Sequence, residues 1–349
     1  MITLPGLVDV HVHLRTPGQT HKEDFLTGTS AALAGGFTTV FDMPNNKIPV
    51  TTPKLLEEKI KLALGEAVGD IGFHFGSLGN NIEEFEKVKT KVMGLKLYLN
   101  ETTGNFLINT ETLSKIFDAW NGGPILVHAE DDAVSEVIRN SERTKKQTHF
   151  CHISLQSDLE QIMNAKEKGL PISCGVTPHH LFLTQKDAEK LGPYGKMKPY
   201  LKSEKDVEFL WNNLSEIDVI ESDHAPHTIE EKDSKNPPFG VPGLETTLPL
   251  LLTAVHEGKL EINDIKRLCH DNPNKIFKIP KQDSLVEVDE NEEYEIQNEN
   301  LFTKCGWSPF AKRKMYGRVK KVTLRSTTVF ENGKILVEPG FGKVVTPEV

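Results

Sequence analysis

Cysteine is scarce: four among 349 residues (Cys151, Cys174, Cys269, Cys305), none in CxxC spacing. That scarcity excludes a disulfide framework and a zinc knuckle. Basic charge is short as well. Lys and Arg number 41 against 50 Asp and Glu, a net charge of −9, which argues against a nucleic-acid partner. The one local run of cations, Lys312-Arg313-Lys314, reads as a solvated turn. No apolar run is long enough to span a bilayer and no basic-then-apolar leader opens the chain, so a cytoplasmic protein with no membrane partner is expected. What is plentiful is apolar residues, 37 % and enough for a large core, and histidine, of which there are 13.

Eight β-rich runs, 7–14, 37–44, 71–78, 93–99, 124–130, 147–154, 171–178 and 217–226, alternate with helix-like segments such as 22–35, 52–66, 109–120, 133–141 and 155–169. In the last of these Leu159, Ile162 and Met163 recur at helical spacing. Strand–helix alternation with short connections predicts a parallel sheet with crossover helices, and eight strands predict a closed α/β (β/α)8 barrel of the TIM type. Helical pattern resumes over 243–257 and 262–269, and HDNP and IFKIP then break it. From about Leu285 short β-like runs take over, with Asn332-Gly333 a hairpin turn. The expected division is a barrel over 1–284 and a β-rich C-terminal segment over 285–349 that packs on it.

Active sites of such barrels lie at the C-terminal ends of the strands. There the sequence places His11 and His13, Asp42 and Asn45, Lys96, His128, His152 and Asp223, with His224 and His227 following. His11 and His13 are two apart on a strand, so they share a face with Cα atoms roughly 7 Å apart. Four histidines and a carboxylate round one opening suit zinc. Lys96, between Leu95 and Leu97, points inward, where an ammonium is costly. Snorkelling to the rim or pairing with an acid are the ordinary accommodations. The alternative is reaction of the neutral amine with CO2, giving a carbamate whose two oxygens can bridge two metal ions. Such a site suits metal-assisted hydrolysis, with a hydroxide held between the ions as nucleophile and Asp223 as general base and acid. Arg15, just outside this centre, is suited to holding a substrate carboxylate, with Asn45 and His227 adding hydrogen bonds.

LPGLVDVHVHLRTPG, DMPN, GLKLYL, VHAE, CHIS and SDHAPHT together resemble the dihydroorotases of the amidohydrolase superfamily, over nearly the whole chain. THKEDF, GLKLYLNET, PHHLFL and PGLETTLPLLLTAV are similar to the dihydroorotase domain of the multifunctional pyrimidine-synthesis protein of animals. The resemblance implies zinc-dependent, reversible cyclisation of N-carbamoyl-L-aspartate to L-dihydroorotate. It implies His11 and His13 on one zinc ion, His128 and His152 on the other, carboxylated Lys96 as the bridge and Asp223 as ligand and proton shuttle. Arg15, Asn45 and His227 would hold the substrate carboxylate, with Thr102 on a loop that covers it. A homodimer is implied, and so is a place in a larger fusion with carbamoyl phosphate synthetase and aspartate transcarbamoylase.

Three positions depart from that pattern. Thr16 replaces a Glu, Thr103 replaces a Phe, and Gly175 replaces a Glu that, with the cysteine matching Cys151, helps hold a third metal in the animal form. Gly175 cannot ligate, which argues against a third metal here and for Cys151 as a buried neutral thiol. Two rivals remain: a dihydropyrimidinase or hydantoinase-like cyclic amidohydrolase, for which Arg15 would be superfluous, and a non-catalytic pseudo-dihydroorotase scaffold.

Overall fold

A computed structural model describes residues 1–100 and 107–348. The chain begins with β1 (Ile2–Pro5). Eight strands follow: β2 (Leu7–Val12), β3 (Phe37–Asp42), β4 (Asp70–Gly76), β5 (Gly94–Tyr98), β6 (Ile125–His128), β7 (Thr148–Phe150), β8 (Ile172–Val176) and β9 (Val219–Ile220). They form one parallel sheet in sequence order. The last edge meets the first: Val12 pairs in parallel with His224, and the His13 N–H donates to the His224 carbonyl at 2.8 Å. This is the expected (β/α)8 barrel; seven of the eight strands fall inside the stretches read from the sequence, and β4 begins one residue earlier, at Asp70.

Strands β2 to β9 are buried along their full length, as parallel strands covered on both faces must be. Val8, Val10, Phe41, Met93, Leu126 and Cys151 come from around the ring yet form one cluster, closed off by Phe277. Side chains from opposite strands touch only across the interior, so this is the barrel's own filling. The covering helices start where local chemistry dictates. Thr52 caps Pro53–Glu66 by accepting from the Leu55 N–H, with Pro53 in the first turn, where no amide donor is needed. Asp24 and Asn109 cap Phe25–Ala34 and Thr110–Ala119 in the same manner.

After β9, the helix Leu244–His256 packs on the barrel, and Ile262–Lys266 then widens into a π turn over Arg267–Asp271. HDNP therefore does not end the helical run. Pro273 sits in the first turn of Asn272–Phe277, where the missing N–H costs little, and the widened turn absorbs its ring. A second, antiparallel sheet comprises β10 (Ser284–Glu295), β11 (Lys314–Leu324), β12 (Thr327–Glu331) and β13 (Lys334–Ile335), and β1 from the N-terminus pairs with β10. The β12–β13 turn uses Asn332 and Gly333 at φ 47° and 77°, the geometry expected of Asn-Gly. Arg313 is not a solvated turn residue: its guanidinium lies 5.3 Å from the Phe182 ring and 5.8 Å from the Phe310 ring.

One buried ion pair fixes the loop that carries Asn45. Lys59, from Pro53–Glu66, puts Nζ 2.8 Å from Asp42 Oδ2 and donates to the Met43 carbonyl and Asn46 Oδ1. Both partners are 1 % exposed, and Asp42 Oδ1 also accepts from the Leu14 N–H. Removing one partner strands the other charge in the interior. Lys59→Met is therefore expected to lower the unfolding free energy by about 3 kcal/mol, read as a shift of the urea midpoint. Replacing both residues with apolar ones of similar volume should cost less.

Candidate functional site

At the C-terminal mouth of the barrel, His11, His13, Arg15, Asn45, Tyr98, His128, His152 and Asp223 line one pocket. Lys198, Ala225, Phe239 and Gly240 complete its wall. His11 and His13 come from the end of β2, His128 from the last residue of β6, His152 from just beyond β7 and Asp223 from just beyond β9. Three of the non-glycine residues here hold left-handed backbones: Arg15 at φ 63°, His152 at 40° and Asp223 at 44°. Each costs of order 1 kcal/mol, and such strain gathers where a side chain must be aimed.

Asp223 Oδ1 stands 3.0 Å from His13 Nε2 and 3.3 Å from His11 Nε2. His13 Nδ1 meets Asn45 Oδ1 at 2.7 Å, so that nitrogen carries the proton and Nε2 presents a lone pair. Burial lowers the His13 pKa to about 4 despite Asp223, which keeps the ring neutral. Burial pushes the Asp223 carboxyl up, but His11 and His13 outweigh it and hold the group below the usual carboxylate range. A lone pair and a carboxylate oxygen at 3.0 Å with no proton between them repel. A cation resolves the conflict: zinc bonds of 2.0–2.1 Å place neighbouring ligand atoms about 3.3 Å apart at tetrahedral angles. His11, His13 and Asp223 thus fit a metal ion by chemistry and by spacing.

The second pair is close by. His128 Nδ1 is 3.1 Å from His152 Nε2, His128 Nε2 faces Glu130 Oε1 at 3.4 Å, and His152 Nδ1 is buried with no hydrogen-bond partner among the described residues. Burial, with Lys96 and the neighbouring histidines adding to it, lowers the pKa of His152. Lys96 itself is 0 % exposed, so it does not snorkel. Its Nζ donates to Cys151 Sγ at 3.1 Å and lies 4.9 Å from the Tyr98 ring centroid, and among the described residues no carboxylate pairs with it. Neither ordinary accommodation of a buried lysine applies. Burial pushes the Cys151 thiol up to about 12, so it is a neutral donor or acceptor.

Arg15 is 5 % exposed, yet among the described residues it has no carboxylate partner. Its Nε donates to the Pro226 carbonyl at 3.1 Å, and one terminal nitrogen lies 3.2 Å from His227 Nε2. His227 Nε2 donates to the Phe239 carbonyl at 2.9 Å and Nδ1 accepts from Lys22 Nζ at 3.1 Å, so Nε2 carries a proton and its approach to Arg15 is a packing contact, not a hydrogen bond. Burial, followed by the charges of Arg15, Lys22 and Lys232, lowers the His227 pKa and keeps it neutral. His227 braces Arg15 from behind and does not itself line the pocket. Thr102 and Thr103 lie outside the described residues.

Sequence comparison decides the family. The chain is 37 % identical to the dihydroorotase of Pyrococcus abyssi over 370 residues, covering 99 % of this chain and 87 % of that protein. It belongs to the dihydroorotase family. Residues 2–171 match the amidohydrolase family. The multifunctional protein CAD of Squalus acanthias is 43 % identical over 349 residues, and this chain spans 16 % of its length. Among solved structures, the L-hydantoinase (dihydropyrimidinase) of Arthrobacter aurescens superposes with a TM-score of 0.95 at 26 % identity, covering 99 % of this chain and 89 % of that one. The inactive dihydroorotase-like domain of a Chaetomium thermophilum CAD-like protein gives 0.84 at 26 % identity, covering 98 % of each.

Several residues of this dihydroorotase-family pocket escaped the sequence reading. Tyr98 lies two residues past Lys96 and so shares its strand face; the period of two could have found it. Lys198 and Phe239 come from long connections with no periodicity to mark them. A fourth residue missed, behind the pocket lining, is Glu221, 0 % exposed. The Gly175 departure argued against a third metal, because glycine supplies no carboxylate beside Cys151. Glu221 supplies one: ligand atoms of His11, Cys151 and Glu221 lie within 4.8 Å of one another. A Cβ built on Gly175 would fall 2.6 Å from Glu221 Oε1, so the space that glycine leaves is filled from β9's side of the ring. Burial raises the Glu221 pKa, but His11 and His149 overcome that and keep it ionised.

Proposed function

We propose that this chain is a dihydroorotase, interconverting L-dihydroorotate and N-carbamoyl-L-aspartate in pyrimidine synthesis. The observation that carries the substrate is the buried Arg15 guanidinium beside the His11–His13–Asp223 cluster, with no carboxylate partner of its own among the described residues. A buried cation needs an anion, and dihydroorotate supplies one. Two zinc ions would be held by His11, His13, His128, His152 and Asp223, with Lys96 carboxylated on Nζ between them. Zinc supplies Lewis acidity toward a carbonyl and lowers the pKa of water. Arg15 takes the carboxylate in a bidentate grip, and Asn45, already anchored on His13 Nδ1, sits beside it. His227 keeps Arg15 aimed. Asp223, ionised at neutral pH, accepts the proton of the attacking water and delivers it to the ring nitrogen as the amide bond breaks. In the synthetic direction the same carboxyl returns the proton to departing water.

We extend the proposal to a cytoplasmic homodimer, and to a fusion with carbamoyl phosphate synthetase and aspartate transcarbamoylase, which the multifunctional relatives support. Among the described residues no helix is long and apolar enough to cross a membrane. The likeness to an inactive domain favours a scaffold as the second reading.

A substrate panel on zinc-loaded protein separates the readings. Dihydroorotate should exceed dihydrouracil and hydantoin by roughly 100-fold in kcat/KM, since a charge-assisted bond of about 2–3 kcal/mol is lost with the uncharged rings. Faster turnover of the uncharged rings would make the protein a hydantoinase, and turnover of none would make it a scaffold.

A further inference from the structure

Glu221 makes contacts that no part of the proposed reaction uses. Its Oε1 accepts from the His152 N–H at 2.5 Å, the amide of a residue held at φ 40°. Its Oε2 faces His11 Nδ1 and His149 Nε2, each at 3.5 Å, and those three atoms are buried with no other partner among the described residues. His149 is fixed on its far side, where Nδ1 meets Ser173 Oγ at 2.9 Å. One carboxylate therefore touches residues from the ends of β2 and β7, and its own chain leads two residues on to Asp223.

We propose that Glu221 is a positioning residue, whose carboxylate fixes the His152 main chain and the His11 ring so that both imidazoles face the metal site. This rests on the reading of His11 and His152 as ligands. A histidine binds metal through one nitrogen while the other is held by a partner, and a carboxylate on the far nitrogen sets the tautomer and raises the ring's basicity. Glu221 stands on the Nδ1 side of His11, while Nε2 faces Asp223. For His152 the carboxylate acts through the backbone. It holds the amide of a residue in a conformation that L side chains seldom adopt.

Gly175 is the steric condition of this arrangement. Any side chain there would meet the Glu221 carboxylate at 2.6–2.7 Å. The same measurement implies that a chain grown from position 175 would reach the place the carboxylate occupies. The two positions are thus alternative roots for one functional group.

The test compares wild type, Glu221→Ala, Glu221→Gln and the double variant Gly175→Glu/Glu221→Ala. Zinc affinity is read by chelator competition, kcat and KM by dihydroorotate hydrolysis, and the His11 tautomer by 15N NMR of zinc-free protein. Glu221→Ala should lose roughly 10- to 100-fold in zinc affinity or kcat, as partners behind metal ligands do, with KM little changed because Arg15 and Asn45 are untouched. Glu221→Gln keeps the volume and an acceptor for the His152 N–H, and it should fall between the two. The double variant should recover most of the loss and the wild-type tautomer. Wild-type zinc affinity together with wild-type kcat in Glu221→Ala, or a double variant no better than the single one, overturns the proposal. If Glu221→Ala does not fold, the same comparison is made with Glu221→Gln and the double variant. Failure of wild type to turn over dihydroorotate would sink the activity reading instead, and zinc affinity and tautomer would still decide the role of Glu221.

Discussion

Lys96→Ala loses ring closure of N-carbamoyl-L-aspartate by at least about 10³-fold and most of its bound zinc. The size follows from what the side chain is asked to supply: metal assistance contributes several kcal/mol to a hydrolytic barrier, and each 1.4 kcal/mol is tenfold in rate. The direction follows from the surroundings. Lys96 is fully buried against Cys151 and Tyr98, with no carboxylate to pair it among the described residues. An ammonium serving only structure would be poorly placed there. Lys96→Arg sharpens the point, because it keeps a cation but cannot be carboxylated. If Lys96 acts as a carbamate, both variants fail alike, and zinc reconstitution of wild type slows when CO2 is removed from the buffer. Full activity in Lys96→Arg would sink the bridged-metal reading. A 13C signal from labelled bicarbonate, present in wild type and absent from both variants, gives a readout independent of rate.

Arg15→Met raises KM for dihydroorotate by roughly 30-fold or more, from the 2–5 kcal/mol lost when one side of a buried charge pair is truncated. Met keeps the apolar stem and removes only the fork. The larger effect is on choice: the preference for dihydroorotate over dihydrouracil should fall steeply, since Lys198, the other cation lining this pocket among the described residues, cannot make the paired contact of a guanidinium. Arg15→Lys should recover part of the KM and little of the selectivity, because an ammonium cannot make the paired contact. An unchanged KM in Arg15→Met would remove the main support for the substrate. His227→Asn, which frees Arg15 from behind, should raise KM less than Arg15→Met.

Much of this was legible in the sequence because barrels confine chemistry to strand ends. Once eight strands were placed, residues such as His128 and His152 had to converge, although 24 positions separate them. The signal was weaker where geometry depends on loops. Lys198 and Phe239 reach the pocket through connections whose course no periodicity reveals. The C-terminal sheet was foreseen, but not that Ile2–Pro5 belongs to it, since a four-residue strand looks the same whichever partner it takes. Gly175 shows a subtler limit. Read alone, a glycine in a ligand-like position means a lost carboxylate; only the packing shows another arriving from position 221. Thr16, buried with its hydroxyl unpartnered, is explained by nothing in the structure.

The left-handed backbones of Arg15, His152 and Asp223 carry an implication for the history of such chains. Glycine would adopt those angles without penalty, while the residues present do so at a cost the rest of the fold must absorb. As long as catalysis is selected, that cost is maintained. A descendant kept only for its shape is free to relax these positions one by one and gains thermal resilience each time. Decay of the chemistry and hardening of the barrel would then be one process, and scaffolds of this ancestry should outlast their active cousins on heating.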